Sequence, residues 1–119
     1  MTIERTGLTD RWCDAAAFNG IVFLAGHVAE KTIGAPLREQ TEEVLALLEE
    51  TLEAAGSAKE RLMSVQIFLT DISEIAEMNA VWDKWVAKGN APARATVGAP
   101  LANPGYAIEI TAVAAKKQG

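Results

Sequence analysis

The spacing of apolar positions changes several times along the chain, and each change marks an element. Ile21-Val22-Phe23-Leu24-Ala25-Gly26 is a short apolar run preceded by Asn19-Gly20, a pair that tolerates the positive φ angles of two-residue hairpin turns. Residues 2–6 and 12–18 also have extended character, so the chain opens as antiparallel β. Residues 29–36 contain Gly34 and Pro36 and read as a loop. Leu37, Thr41, Val44, Leu45, Leu48, Leu52 and Ala55 then recur at helical spacing, and Gly56 ends that helix as the glycine just past its cap. From Leu62 to Thr70 the period falls to two, with Val65, Ile67 and Leu69 on one face and Gln66 and Phe68 on the other. Asp71-Ile72-Ser73-Glu74 offers cap residues and an acidic first turn. Ile75, Met78, Val81, Trp82, Trp85 and Val86 follow on a second amphipathic helix closing near Gly89, with both tryptophans inward. Ala93–Gly98 and Tyr106–Ala115 are two further strands, joined through Pro100 and Asn103-Pro104-Gly105.

The order is therefore β-β-β-α-β-α-β-β in a single domain spanning residues 1–119, and the simplest architecture is an α+β fold in which two helices pack on one face of a mixed sheet. Phe23, Ile67, Ile108, Ile110 and the alanine-rich runs place apolar groups on both sides of several strands. Two helices cover only one side, so association with other copies is expected to bury the second.

Composition removes several classes of function. The net charge is −5 and the basic residues are scattered, which argues against a nucleic-acid partner. No apolar run approaches the length of a membrane span, and no leader pattern opens the chain, so a cytoplasmic protein is expected. The single cysteine, Cys13, has no internal disulfide partner. One histidine and one cysteine at unrelated positions give no metal-ligand spacing, and the isolated glycines form neither a Walker loop nor a dinucleotide fingerprint. No metal or organic cofactor is expected.

Two charges stand out against this background. Arg94 lies in Pro92-Ala93-Arg94-Ala95-Thr96-Val97, and Glu109 interrupts the apolar strand Tyr106-Ala107-Ile108-Glu109-Ile110-Thr111-Ala112-Val113. Each must find a partner or await a ligand, because an unpaired buried charge is costly. A guanidinium fork suits a small carboxylate, and a nearby carboxylate suits a water to be activated. The plainer readings are a surface or interface salt bridge for Arg94 and an intersubunit ion pair for Glu109. His27, at a strand end after Gly26, reads as a partly exposed edge residue, and with Ser57, Ser64, Ser73 or Cys13 it forms no recognisable triad context. Glu42, Glu43, Glu49, Glu50 and Glu53 read as the solvated face of the first helix.

The segments Asn19–Gly26, Phe68-Leu69-Thr70-Asp71, Met78-Asn79-Ala80-Val81-Trp82, Ala91–Val97 and Ile108-Glu109-Ile110 resemble the RidA/YjgF family of reactive-intermediate deaminases almost end to end. Arg11-Trp12, Trp82–Val86 and Asn103–Tyr106 are most similar to its YoaB-like branch. The resemblance implies a chorismate-mutase-like α+β fold assembled as a homotrimer, with a central barrel, outer helices and clefts between subunits. It also implies cofactor-independent hydrolysis of 2-iminobutanoate or 2-iminopropanoate to a 2-oxo acid and ammonia. Arg94 would hold the substrate carboxylate, Glu109 would position or activate water, and Gly26, Trp12 and Thr96 would line the cleft. The alternative within the same fold is a trimeric protein that binds small 2-oxo acids without turnover. Trp12 stands where the family usually has tyrosine, Ala25 where serine is common, and Ala95-Thr96 where Ser-Cys often follows the arginine.

Overall fold

The computed structural model describes residues 2–118. Six strands, β1 (Glu4–Thr6), β2 (Ala15–Phe18), β3 (Ile21–Val28), β4 (Leu62–Leu69), β5 (Ala93–Gly98) and β6 (Ile108–Ala115), and two helices, α1 (Leu37–Ala54) and α2 (Ile75–Trp85), follow the expected order. They form one sheet in the order β1-β2-β3-β6-β4-β5. Only β4 and β5 pair in parallel, the arrangement allowed when α2 carries the chain back across the sheet; every other neighbouring pair is antiparallel.

Local chemistry explains the element ends. Asn19 and Gly20 have φ of 54° and 82°, so the β2–β3 hairpin turns through the positive-φ pair that matches strand twist. At the end of α1, Gly56 has φ of 81°, its N–H reaches the Glu53 carbonyl, and the Ser57 N–H reaches that of Leu52 at 2.8 Å. This double closure satisfies carbonyls that the helix leaves open. The second helix stops at Trp85, short of Gly89: Val86 is already extended, with ψ of 137°, and Lys59 Nζ takes the free Trp85 carbonyl at 2.7 Å. Asp71 caps the turn before α2 by accepting from the Ser73 N–H and hydroxyl.

One face of the sheet packs on both helices. Val22, Leu24, Val65, Ile67, Leu69, Ile108 and Ile110 meet Val44, Leu45, Leu48, Leu52, Met78 and Trp82 in the core. Ile67, Ile108 and Ile110 thus all face the helices, and the apolar groups of the other face are Phe18, Phe23, Phe68, Val97 and Val113, set by alternation. Phe23 is 56% and Val97 46% exposed, so this second face lies open in the isolated chain.

Gln40 is 1% exposed and holds the loops together. Its Nε2 donates to the carbonyls of Ala35 and Gly105, and its Oε1 accepts from the Ala107 N–H at 2.8 Å. Gln40→Ala leaves these backbone groups without their partner and is expected to cost about 2 kcal/mol, readable as a lower urea midpoint.

Candidate functional site

Strand register decides where the two candidate charges point. Arg94 pairs with Val65, which pairs with Ala112, so Arg94 shares the helix-bearing face. Glu109 pairs with Phe68 on one side and Val28 on the other, and therefore lies on the open face. Strand β4 separates them. Within one chain Arg94 and Glu109 do not satisfy each other, and Arg94 is exposed rather than buried as an apolar context would suggest.

Arg94 projects from the sheet edge toward α2. Its Nη1 donates to Asn79 Oδ1 at 2.9 Å, and its Cζ lies over the Trp82 ring, 5.2 Å from the centroid. Among the described residues it makes no ion pair. The guanidinium has five N–H donors, so most remain for an incoming carboxylate. Thr96, two residues on, has the same face, and its enclosed hydroxyl finds no partner among the described residues. Ala95 faces the other way, opposite Gln66.

Glu109 belongs to a second cluster, built on a β-bulge. Between β3 and β6 the pairing steps from Leu24↔Ala112 to His27↔Ile110, three residues against two. The extra residue brings Gly26 and Glu109 together so closely that a Cβ on Gly26 would collide with Glu109 Oε2 and stand 2.9 Å from Cδ. A side chain at position 26 would displace the Glu109 carboxylate. Among the described residues the Glu109 carboxylate accepts no hydrogen bond from another side chain and joins no ion pair.

His27 is partly exposed near the end of β3, as expected, but β3 is an interior strand, so the residue is not on a sheet edge. The bulge turns it toward α1, where Nδ1 donates to the Ala25 carbonyl at 2.7 Å and Nε2 meets Thr51 Oγ1 at 2.8 Å. A carbonyl only accepts, so Nδ1 carries a proton, and Nε2 shares a hydrogen bond with the Thr51 hydroxyl. The ring thus ties the bulge to the helix. Thr111 Oγ1 adds a bond to the Leu24 carbonyl at 2.7 Å.

Gly26, His27, Trp12, Leu47 and Thr51 line an open cleft of about 430 Å³ where β2 ends and leaves the rim of β3 uncovered. Trp12, 55% exposed, stands at this cleft on a turn in which Thr9 Oγ1 accepts from the Arg11 and Trp12 N–H groups. Gly26 borders this cleft and also meets Glu109, whose carboxylate lies on the open face and is not part of the cleft lining.

Glu43, read from the sequence as solvated, also borders the cleft and has a structural task. Its carboxylate accepts from the Thr32 hydroxyl at 2.7 Å and from the N–H groups of Thr32 and Lys31. Burial alone would raise its pKa, but these hydrogen bonds and the Lys31 charge outweigh burial and hold it below the ordinary value of 4.5. A depressed carboxylate stabilises the fold at pH above its unfolded value and loses that contribution as pH falls through the folded one. Urea midpoints measured as pH drops below 4.5 are accordingly expected to fall more steeply for the native chain than for Glu43→Gln.

Comparison with known proteins places this geometry. Residues 2–116 match the family described as Endoribonuclease L-PSP. A RutC family protein, YoaB, from Escherichia coli K12 is 41% identical, covering 97% of this chain and 99% of that one. The chain belongs to the RidA/YjgF family. A RutC family protein of Haemophilus influenzae is 40% identical over 96% of this chain and 98% of its own length. Among solved structures, a YjgF-family protein of Neisseria meningitidis superimposes with a TM-score of 0.94 at 42% identity, covering 100% of this chain and 98% of that one.

In this RidA/YjgF chain Asn79 and Trp82 are neighbours of Arg94, a link that the sequence does not show. They stand three apart on α2, a spacing that puts both on one helical face. That spacing was visible, but the strand facing it was not.

Proposed function

We propose that the chain assembles as a homotrimer whose open sheet faces form a central barrel, and that each interface joins Arg94 of one copy to Gly26, Glu109 and Trp12 of the next. The site so formed hydrolyses small 2-imino acids, 2-iminopropanoate and 2-iminobutanoate, to 2-oxo acids and ammonia. The observation that carries this reading is the state of the two charges: Arg94 is held at the sheet edge with no carboxylate partner among the described residues, and Glu109 is held over Gly26 with no cation. The exposed Phe23 and Val97 supply an apolar face for association.

The chemistry needs little more. The guanidinium binds the imino acid carboxylate, leaving the imine carbon open to water. Glu109 takes a proton as water adds and returns it to the carbinolamine nitrogen; it then takes the hydroxyl proton as the C–N bond breaks, so that the carbonyl forms and ammonia leaves. The protonated imine is already electrophilic, so this sequence calls on no metal or organic cofactor. A cytoplasmic location fits such a role, and no helix among the described residues is long and apolar enough to cross a membrane. A net charge of −5 disfavours the RNA substrate that the matched family's description would suggest.

Binding of 2-oxo acids without turnover is the second reading, favoured by one observation: Asn79 and Trp82 orient the Arg94 guanidinium without any contribution from Glu109. The test is to generate 2-iminopropanoate in place with an amino-acid oxidase and to follow pyruvate formation. Catalysis requires acceleration by the native protein and its loss in Glu109→Gln. If that variant binds pyruvate normally and the native protein gives no acceleration, the binding reading holds instead.

A further inference from the structure

The tie between Arg94 and α2 extends beyond a hydrogen bond. Trp82 is 6% exposed, so its ring cannot swing away from the guanidinium above it. It also packs on Trp85, with centroids 5.6 Å apart and planes inclined at 45°. Trp85 is itself fixed: its Nε1 donates to Glu49 Oε1 at 3.0 Å, and Lys59 Nζ lies over its ring at 5.2 Å while holding its carbonyl. The platform beneath Arg94 is therefore anchored to α1 and to the segment before β4.

An arginine on an exposed edge strand would otherwise sample many rotamers and lose that freedom on binding an anion. A cation held against an aromatic face is attracted without using any N–H donor, so the ring restrains the head group and leaves its donors free. Asn79 takes one donor and fixes rotation about the axis that the ring alone would leave open.

We propose that Trp82 is a positioning residue for the Arg94 clamp, preorganising the guanidinium for the substrate carboxylate through its π face. The inference rests on the reading of Arg94 as the carboxylate clamp. Trp82 touches no substrate and acts in the binding step rather than in proton transfer. Its removal therefore raises KM and the Kd for pyruvate while sparing kcat.

The experiment compares the native protein with Trp82→Phe, Trp82→Leu and Arg94→Ala, using pyruvate titration and steady-state hydrolysis of 2-iminopropanoate. Trp82→Leu is expected to weaken pyruvate binding and raise KM by about tenfold, with kcat within about twofold, and Trp82→Phe is expected to recover most of the loss. Because Trp82 is buried, a fluorinated tryptophan at position 82, equal in shape but poorer in π-electron density, provides the test that keeps the core intact. Pyruvate affinity should fall with fluorination. Unchanged affinity and KM in the fluorinated protein, with Arg94→Ala still losing binding, overturn the proposal alone. Unchanged pyruvate binding in Arg94→Ala removes the clamp itself and the proposal with it.

Discussion

Arg94→Ala is expected to reduce kcat/KM for 2-iminopropanoate by about a thousandfold, equivalent to about 4 kcal/mol of transition-state stabilisation, while leaving the fold intact. The size follows from what is removed. A charge-assisted fork to a carboxylate supplies both affinity and orientation, and misorientation of the imine carbon relative to water costs rate as well as binding. The small effect on stability follows from exposure: Arg94 joins no ion pair among the described residues, and its loss leaves Asn79 free to meet solvent. A change of about 0.5 kcal/mol or less is expected in urea unfolding. Arg94→Lys should recover little, because an ammonium offers a point charge without the planar fork. Progress curves of pyruvate formation beside matched unfolding curves give both numbers.

Gly26→Ala is expected to separate stability from activity in a similar way, by a different route. The new methyl group would overlap Glu109 Oε2 and press on Cδ at 2.9 Å and Cγ at 3.2 Å. Those atoms are the far end of a flexible side chain, so the carboxylate can rotate away, and the fold should lose about 1 kcal/mol or less. The reaction fares worse, because the displaced carboxylate is the group assigned to water. A loss of about a hundredfold in kcat is expected, in the range usually assigned to general acid–base catalysis. Pyruvate affinity should change little, since Arg94 belongs to the other half of the site. A variant with native kcat would remove the Gly26–Glu109 contact from the account.

How much of this was legible in the sequence depends on whether the determinant was local. The Asn19-Gly20 turn, the helical spacing from Leu37 to Ala55, the Gly56 closure and the alternation of Val65, Ile67 and Leu69 each involve neighbours in the chain, and each is found in the structure. The end of α2 was placed several residues late, because it is set partly by Lys59, a residue far away in the sequence that takes the Trp85 carbonyl. The same distinction governs the site. Alternation placed Glu109 correctly beside Thr111 and Val113, but the face of Arg94 depends on the parallel register of β5 against β4, which no local pattern specifies. The bulge at Gly26 is invisible to a period of two, and so is the bridge that the partly exposed His27 makes between β3 and α1. Two unusual charges were therefore easy to find, and their separation by a strand was not.

That separation makes subunit mixing the most direct test. Arg94→Ala and Glu109→Gln chains, each inactive as a homo-oligomer, are co-expressed and the mixed assemblies assayed for pyruvate formation from 2-iminopropanoate. An interface that takes Arg94 from a Glu109→Gln chain and Glu109 from an Arg94→Ala chain is intact, and random assembly makes about a quarter of the interfaces so. Activity restored to about that fraction of the native value is the predicted result; mixed assemblies as inactive as their parents would contradict a site shared between copies.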